Sequence, residues 1–251
     1  MAGAKGEGWL VWGVLALMLI MGVAAVVIAP GGPGSPGTQP QNALPLPRVS
    51  PTDAVISLGD SIYFDASNST DPDGSVQAFA WEFGDGTTAA GALVTHQYEI
   101  TGALTVRLEV TDNKGAKNTT STHVWVNLNQ AASGTATKNP LSGSLPSTQT
   151  FPLDKNATRV SVSLLLNTSS LAGAKVTVTL ADPNSVVVHA ANFTLTFGQV
   201  QSPVAFTVLA ANLTVTGTWT LKVEADYAIP PPGQPSVTVV YSGTVRVEYN
   251  P

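Results

Sequence analysis

Three regimes of hydrophobic patterning follow one another along the chain. From Trp9 to Ala29 (WLVWGVLALMLIMGVAAVVIA) the pattern is solid: 21 residues carry no charge and no strongly polar side chain. At about 1.5 Å per residue, such a helix spans about 31 Å, the thickness of a bilayer core. From Pro30 to Pro47 there is no period: six Pro and four Gly in 18 uncharged residues support neither a helix nor a sheet interior. From residue 48 onward, apolar residues return at every second position. Ile62-Tyr63-Phe64, Phe79-Ala80-Trp81-Glu82-Phe83 and the run from Leu104 to Val110 alternate in this way. Asp71-Pro72-Asp73-Gly74, Gly84-Asp85-Gly86 and Asp112-Asn113-Lys114-Gly115 punctuate them as turns. Period 2 bounded by such turns predicts short strands with one buried face.

The alternation lapses between residues 127 and 148, a polar stretch with Gly, Pro and Ser, so 129–138 reads as a linker. It then resumes over 139–251. Val160 to Leu166, Val176 to Leu180, Phe193 to Phe197, Val204 to Val208, Trp219 to Ala225, Val237 to Tyr241 and Val245 to Tyr249 each keep the period. Seven or eight strands with one buried face predict a second all-β unit, a sandwich or jelly roll.

Charge sets the orientation. Lys5 and the N-terminal amine precede the apolar helix, and the next basic residue is Arg48. The positive-inside bias therefore places residues 1–8 in the cytoplasm and everything after residue 30 outside. Trp9 and Trp12 suit the headgroup boundary. A cleaved signal peptide has a shorter apolar region, about 7–15 residues, and Pro30 disfavours cleavage after Ala29. The expectation is a transmembrane signal anchor at 9–29, with the 30–47 linker lifting the folded part off the membrane.

Composition removes several kinds of chemistry. With 11 Lys plus Arg against 16 Asp plus Glu, the net charge is −5, so no basic face is available for nucleic acid. There is no Cys for thiol catalysis, disulfides or sulfur-ligated metals. His96, His123 and His189 lie far apart, with no H-E-x-x-H, G-x-S-x-G or phosphate-loop spacing around them. The expectation is no enzyme. Asp71, Asp73 and Asp85 stand in turns, where they either bond backbone amides or offer oxygens to a calcium ion. An EF-hand is excluded, because Ser75 and Val76 occupy its fifth and sixth places. Asn68, Asn118, Asn156, Asn167, Asn192 and Asn212 each open an N-x-Ser/Thr sequon, consistent with an external location.

Phe64-Asp65-Ala66-Ser67-Asn68-Ser69-Thr70-Asp71-Pro72-Asp73-Gly74, followed by Trp81-Glu82-Phe83-Gly84-Asp85-Gly86, resembles the PKD (polycystic kidney disease) domain. His96-Gln97-Tyr98, Gly102 and the stretch from Leu104 to Asp112 continue the likeness, with Leu104 in place of the usual aromatic. The resemblance implies an Ig-like β-sandwich over 48–128, of the kind that serves adhesion, protein or polysaccharide contact, or spacing. Trp81 and Phe83, two apart on one strand, are expected between the sheets, with Gly84 and Gly86 permitting the turn that follows. Asp182-Pro183-Asn184 and the run from Gly217 to Val223 look like the bacterial pre-peptidase C-terminal and P-type β domains, although Ser185 replaces the turn's Gly. Both resemblances imply accessory modules.

The chain therefore reads as an all-β protein: two antiparallel Ig-like or jelly-roll sandwiches on one transmembrane helix. It reads as a membrane-anchored surface protein that contacts a protein or polysaccharide. Two alternatives remain open. One is an accessory subunit docking on a secreted or membrane enzyme. The other is a pilin-like filament subunit, suggested by Lys5-Gly6 ahead of the apolar helix and opposed by Pro30 and the loose spacer.

Overall fold

The computed structural model describes residues 41–154, 156–168, 173–196, 202–228 and 236–250. The expected anchor at 9–29, the spacer up to residue 40 and Phe197 lie outside them. No helix among the described residues is long and apolar enough to cross a membrane. The fold is all-β, and its strands pair antiparallel apart from one parallel pair noted below.

The period-2 runs of the first half become β1 (Asp53–Ser57), β2 (Ser61–Asp65), β3 (Val76–Glu82), β4 (Thr88–Ala90), β5 (Leu93–Gln97) and β6 (Gly102–Asp112). β2 and β5 form a two-stranded sheet, while β4, β3 and β6 lie side by side in a larger one. The inward residues of both sheets meet in one buried cluster, including Ile62, Phe64, Trp81, Phe83, Tyr98, Val106, Leu108 and Val110. Trp81 and Phe83 are each 1% exposed, as the alternation requires. The Trp81 indole donates to Gly91 O at 2.9 Å, so its one polar atom is satisfied on burial.

β7 (Lys117–Asn139) runs on for 23 residues. Its first part pairs with β6, Lys117 to Val126 against Thr111 to Gly102, and in parallel with β1, His123 to Asn127 against Asp53 to Ser57. Its second part pairs with β15 (Val237–Glu248), Leu128 to Lys138 against Val247 to Val237. One nine-stranded sheet therefore serves both halves of the chain. The expected linker at 129–138 is strand. The periodicity fails to show it because the inward positions are small: Ala132 and Ala136 are 1% and 0% exposed. Large side chains do not fit there. A Cβ on Gly134 would strike Ser147 Oγ and the Tyr241 hydroxyl.

The second half adds β8 (Gly143–Leu145), β9 (Ser147–Leu153), β10 (Arg159–Thr168), β11 (Ala174–Ala181), β12 (Val187–Leu195), β13 (Ser202–Leu209) and β14 (Gly217–Tyr227). The order β13-β10-β15-β7 faces a four-stranded sheet of order β12-β11-β14-β9. Their inward faces share one core, with Trp219, Tyr241 and Tyr249 its largest members. On the β7–β9 side, two glutamines lace the sheets together: Gln130 donates to Thr150 O at 3.0 Å, and Gln149 donates to Ser133 O at 2.9 Å.

The last residues of the expected 30–47 linker belong to the fold. Leu46 and Thr70 exchange backbone bonds at 2.7 and 3.1 Å, and Asn118 Nδ2 donates to Pro45 O at 2.9 Å. Proline-rich sequence can lie along a sheet edge, because an edge asks for few amide donors.

Candidate functional site

The turn aspartates divide between two clusters. The first forms where the β2–β3 connection, residues 66–75, meets the β6–β7 turn, residues 113–116. Asp112 shapes that turn: its Oδ1 accepts the amides of Lys114 and Ala116, both at 2.8 Å. Asn42 Nδ2 donates to its other oxygen at 2.8 Å. Burial pushes the Asp112 carboxyl up, but the Asn42 bond and the turn amides outweigh it and hold the group below the ordinary carboxylate value. Asn113 and Ser75 clasp the two connections, with Asn113 N donating to Ser75 O at 2.9 Å and Ser75 N to Asn113 Oδ1 at 3.2 Å.

Asp73 accepts the Lys114 ammonium on Oδ2 at 2.6 Å and the Ala43 amide on Oδ1 at 3.2 Å. The lysine hydrogen bond is the main reason its carboxyl lies below the ordinary value. Asp71 sits beside it and is treated differently. Both of its carboxylate oxygens are buried without a hydrogen-bond donor, and so is Oδ1 of Asn42. A Cβ on Gly74 would collide with Asn113 Oδ1 and Asp71 Oδ2, so the missing side chain is what lets these oxygens converge.

The donor set is therefore Asp71, Asp73 and the amide oxygens of Asn42 and Asn113, with Asp112 one hydrogen bond away. Hard oxygens of this kind suit calcium. A buried carboxylate without donors is costly until a cation meets it. Among the described residues, no three acidic or histidine side chains stand together at metal-ligating spacing; the amide oxygens complete this set.

Asp85 belongs to the second cluster. The turn after Phe83, with Gly84 and Gly86 at φ 82° and 90°, points it toward β5. Its Oδ1 accepts the Thr87 amide at 2.9 Å and the Thr87 hydroxyl at 2.6 Å, and its Oδ2 lies 2.7 Å from His96 Nε2. The His96 ring stacks on Phe83 at 4.0 Å and meets Tyr98 edge-on at 4.5 Å. Of the three turn aspartates, Asp71 and Asp73 share the first cluster, while Asp85 stands in the second, where it accepts the Thr87 amide and hydroxyl and meets His96.

Four members of the first cluster escaped the sequence reading: Asn42, Asp112, Asn113 and Lys114. The last three were legible only as a D-N-K-G turn, and Asn42 lay in a segment whose composition signals no fold. The remaining histidines hold other places. His123 faces Asp53 at 3.4 Å, and His189 stacks on Phe206 at 4.3 Å. Of the sequon asparagines, Asn68, Asn156, Asn167, Asn192 and Asn212 are exposed. Asn118 is half-buried and spends its amide on Pro45 O.

A family model described as "PKD domain" matches residues 42–126. Collagenase ColA of Clostridium perfringens is 41% identical over 75 residues, which is 30% of this chain and 7% of that protein. A microbial collagenase of Vibrio alginolyticus is 45% identical over 69 residues, 28% of this chain and 8% of that protein. The chain thus spans less than a tenth of the length of these relatives. The solved PKD1 domain of Vibrio anguillarum Epp is 34% identical, covering 34% of this chain and 96% of that one, with a TM-score of 0.30. The match begins at Asn42, the residue that opens the oxygen cluster, and ends in the middle of β7: residues 42–126 of this chain are a PKD domain.

Proposed function

We propose that this chain is a non-catalytic surface protein that presents its PKD domain and second β-sandwich as one contact module for a protein or polysaccharide. In this reading the apolar helix at 9–29 anchors it, with residues 1–8 in the cytoplasm and the module outside. The observation that carries the reading is β7, which leaves the PKD domain and enters the second core without a break. A stiff, jointless presentation suits a contact or spacing role. An accessory subunit docking on a secreted or membrane enzyme is the second reading. Its support is that the matching relatives are collagenases over the PKD region.

Within this reading the Asn42–Asp71–Asp73–Asn113 oxygens hold calcium. When bound, the ion supplies the positive charge that Asp71 lacks, and the protein's part is to bring two turns and the 42–47 segment to it. External protease on intact cells tests the anchoring. The expected product starts within 30–41 and is uncut over 128–139, where β7 is paired along its length. Full protection of the module would overturn the orientation. Crosslinking on intact cells followed by mass spectrometry tests the contact role, and recovery of no surface protein or polysaccharide in contact with the module counts against it.

A further inference from the structure

The oxygen cluster carries a cation of its own. Lys114 is the third residue of the D-N-K-G turn, and its ammonium donates to both Asp73 Oδ2 at 2.6 Å and the Asp73 carbonyl at 2.8 Å. The turn beneath it is fixed by the Asp112 carboxylate and by the Asn113–Ser75 pair. The lysine is thus delivered to the cluster by the backbone. It also feels the cluster as a whole, since Asp73, Asp71 and Asp112 all favour its charged form. Yet it satisfies only Asp73. The two Asp71 oxygens and Asn42 Oδ1 receive no donor. One ammonium on a four-carbon stem supplies a single charge and three donors, fewer than a divalent ion with six to eight coordination places.

We propose that Lys114 is a tethered counter-cation that competes with calcium for the Asp71–Asp73 cluster, so that the PKD domain keeps its N-terminal segment and turns in place when calcium is scarce. The inference rests on the calcium reading of the same cluster and can fail separately from it. An intramolecular ammonium is present at a high effective concentration, whatever the medium contains. An arriving divalent ion must displace it or sit beside a like charge, at a cost of about tenfold in affinity. The 43% exposure of the Lys114 side chain means that replacing it leaves the core intact.

The test compares the full chain in detergent as wild type, Lys114→Met, Lys114→Arg and Lys114→Met/Asp71→Asn. Each is melted in chelator and in millimolar calcium, and each is titrated with calcium chloride by calorimetry. In chelator, Lys114→Met is expected to melt below wild type, with Lys114→Arg close to wild type. In calcium, Lys114→Met recovers to wild type or above and binds the ion about tenfold more tightly than wild type does. Asp71→Asn in that background abolishes the recovery. Equal calcium affinity and equal thermal shifts in wild type and Lys114→Met would overturn the competition and leave the calcium reading standing. Absence of calcium binding in both would overturn the two together.

Discussion

Asp85 and His96 meet at 2.7 Å, carboxylate to Nε2, beneath the turn that ends the Trp81–Phe83 strand. Burial pushes the Asp85 carboxyl up, but the Thr87 hydroxyl and amide and then His96 outweigh it, leaving the group below its ordinary value. A carboxyl depressed in the folded state stabilises fully above its unfolded value, and that contribution is lost as pH falls through the folded value. The wild type should therefore lose stability on acidification below the ordinary carboxylate range. Asp85→Asn should flatten that part of the profile and cost about 1–3 kcal/mol at neutral pH by stranding its donors. Denaturant midpoints measured across the acid limb check both. An unchanged slope would mean that Asp85 is not the titrating group.

Trp81 is 1% exposed and lies against Phe64 at 5.5 Å, ring centre to ring centre. Trp81→Ala should cost about 3–5 kcal/mol, the usual range for an emptied aromatic site. Chemical denaturation of the full chain reads this directly, and a midpoint unchanged within error would refute the core role.

Gly134 on β7 leaves room for the Tyr241 hydroxyl and its 2.9 Å bond to Ser147. Gly134→Val should be destabilising by about 1–3 kcal/mol through overpacking, although valine favours strands. Because β7 also pairs with β1 and β6, hydrogen exchange should quicken in both halves of the chain. Faster exchange confined to 128–250 would mean that the two cores unfold independently.

Ser185 takes φ 65° in the turn where Asp182 Oδ1 accepts the amides of Asn184 and Val186, both at 2.9 Å. A left-handed conformation costs a side-chain-bearing residue about 1–2 kcal/mol, a penalty that glycine escapes. Ser185→Gly should therefore raise the melting temperature slightly, after its own entropy loss is subtracted. A fall in Tm would show that the serine makes a compensating contact.

The six sequons should not behave alike in a glycosylating host. Asn118 donates its side-chain nitrogen to Pro45 O at 2.9 Å, so a glycan on that nitrogen competes with the docked 42–47 segment. Site-by-site mass spectrometry should find Asn118 bare where the exposed sites are occupied. Full occupancy at Asn118 would mean that the 42–47 segment is not docked when the sugar is added.

Which residues are inward was written in the sequence, because strand geometry sends alternate side chains to opposite faces and water sorts them. Trp81 and Phe83, or Val160 through Leu166, needed nothing more. The PKD motif likewise showed itself through local turn chemistry, in D-P-D-G and G-D-G. Three features were decided only by the tertiary structure, each because distant residues supply the reason. Residues 129–138 lack large apolar side chains, yet form strand because Tyr241 and β15 fill the space in front of them. The runs 237–241 and 245–249 read as two strands around Gly243 and are one, since a Cβ at Gly243 would strike the Ser163 carbonyl on neighbouring β10. The oxygen cluster joins Asn42, Asp71 and Asn113 across some 70 residues, and no local period records such a meeting. Sequence fixes the face each residue shows; only packing decides which faces meet.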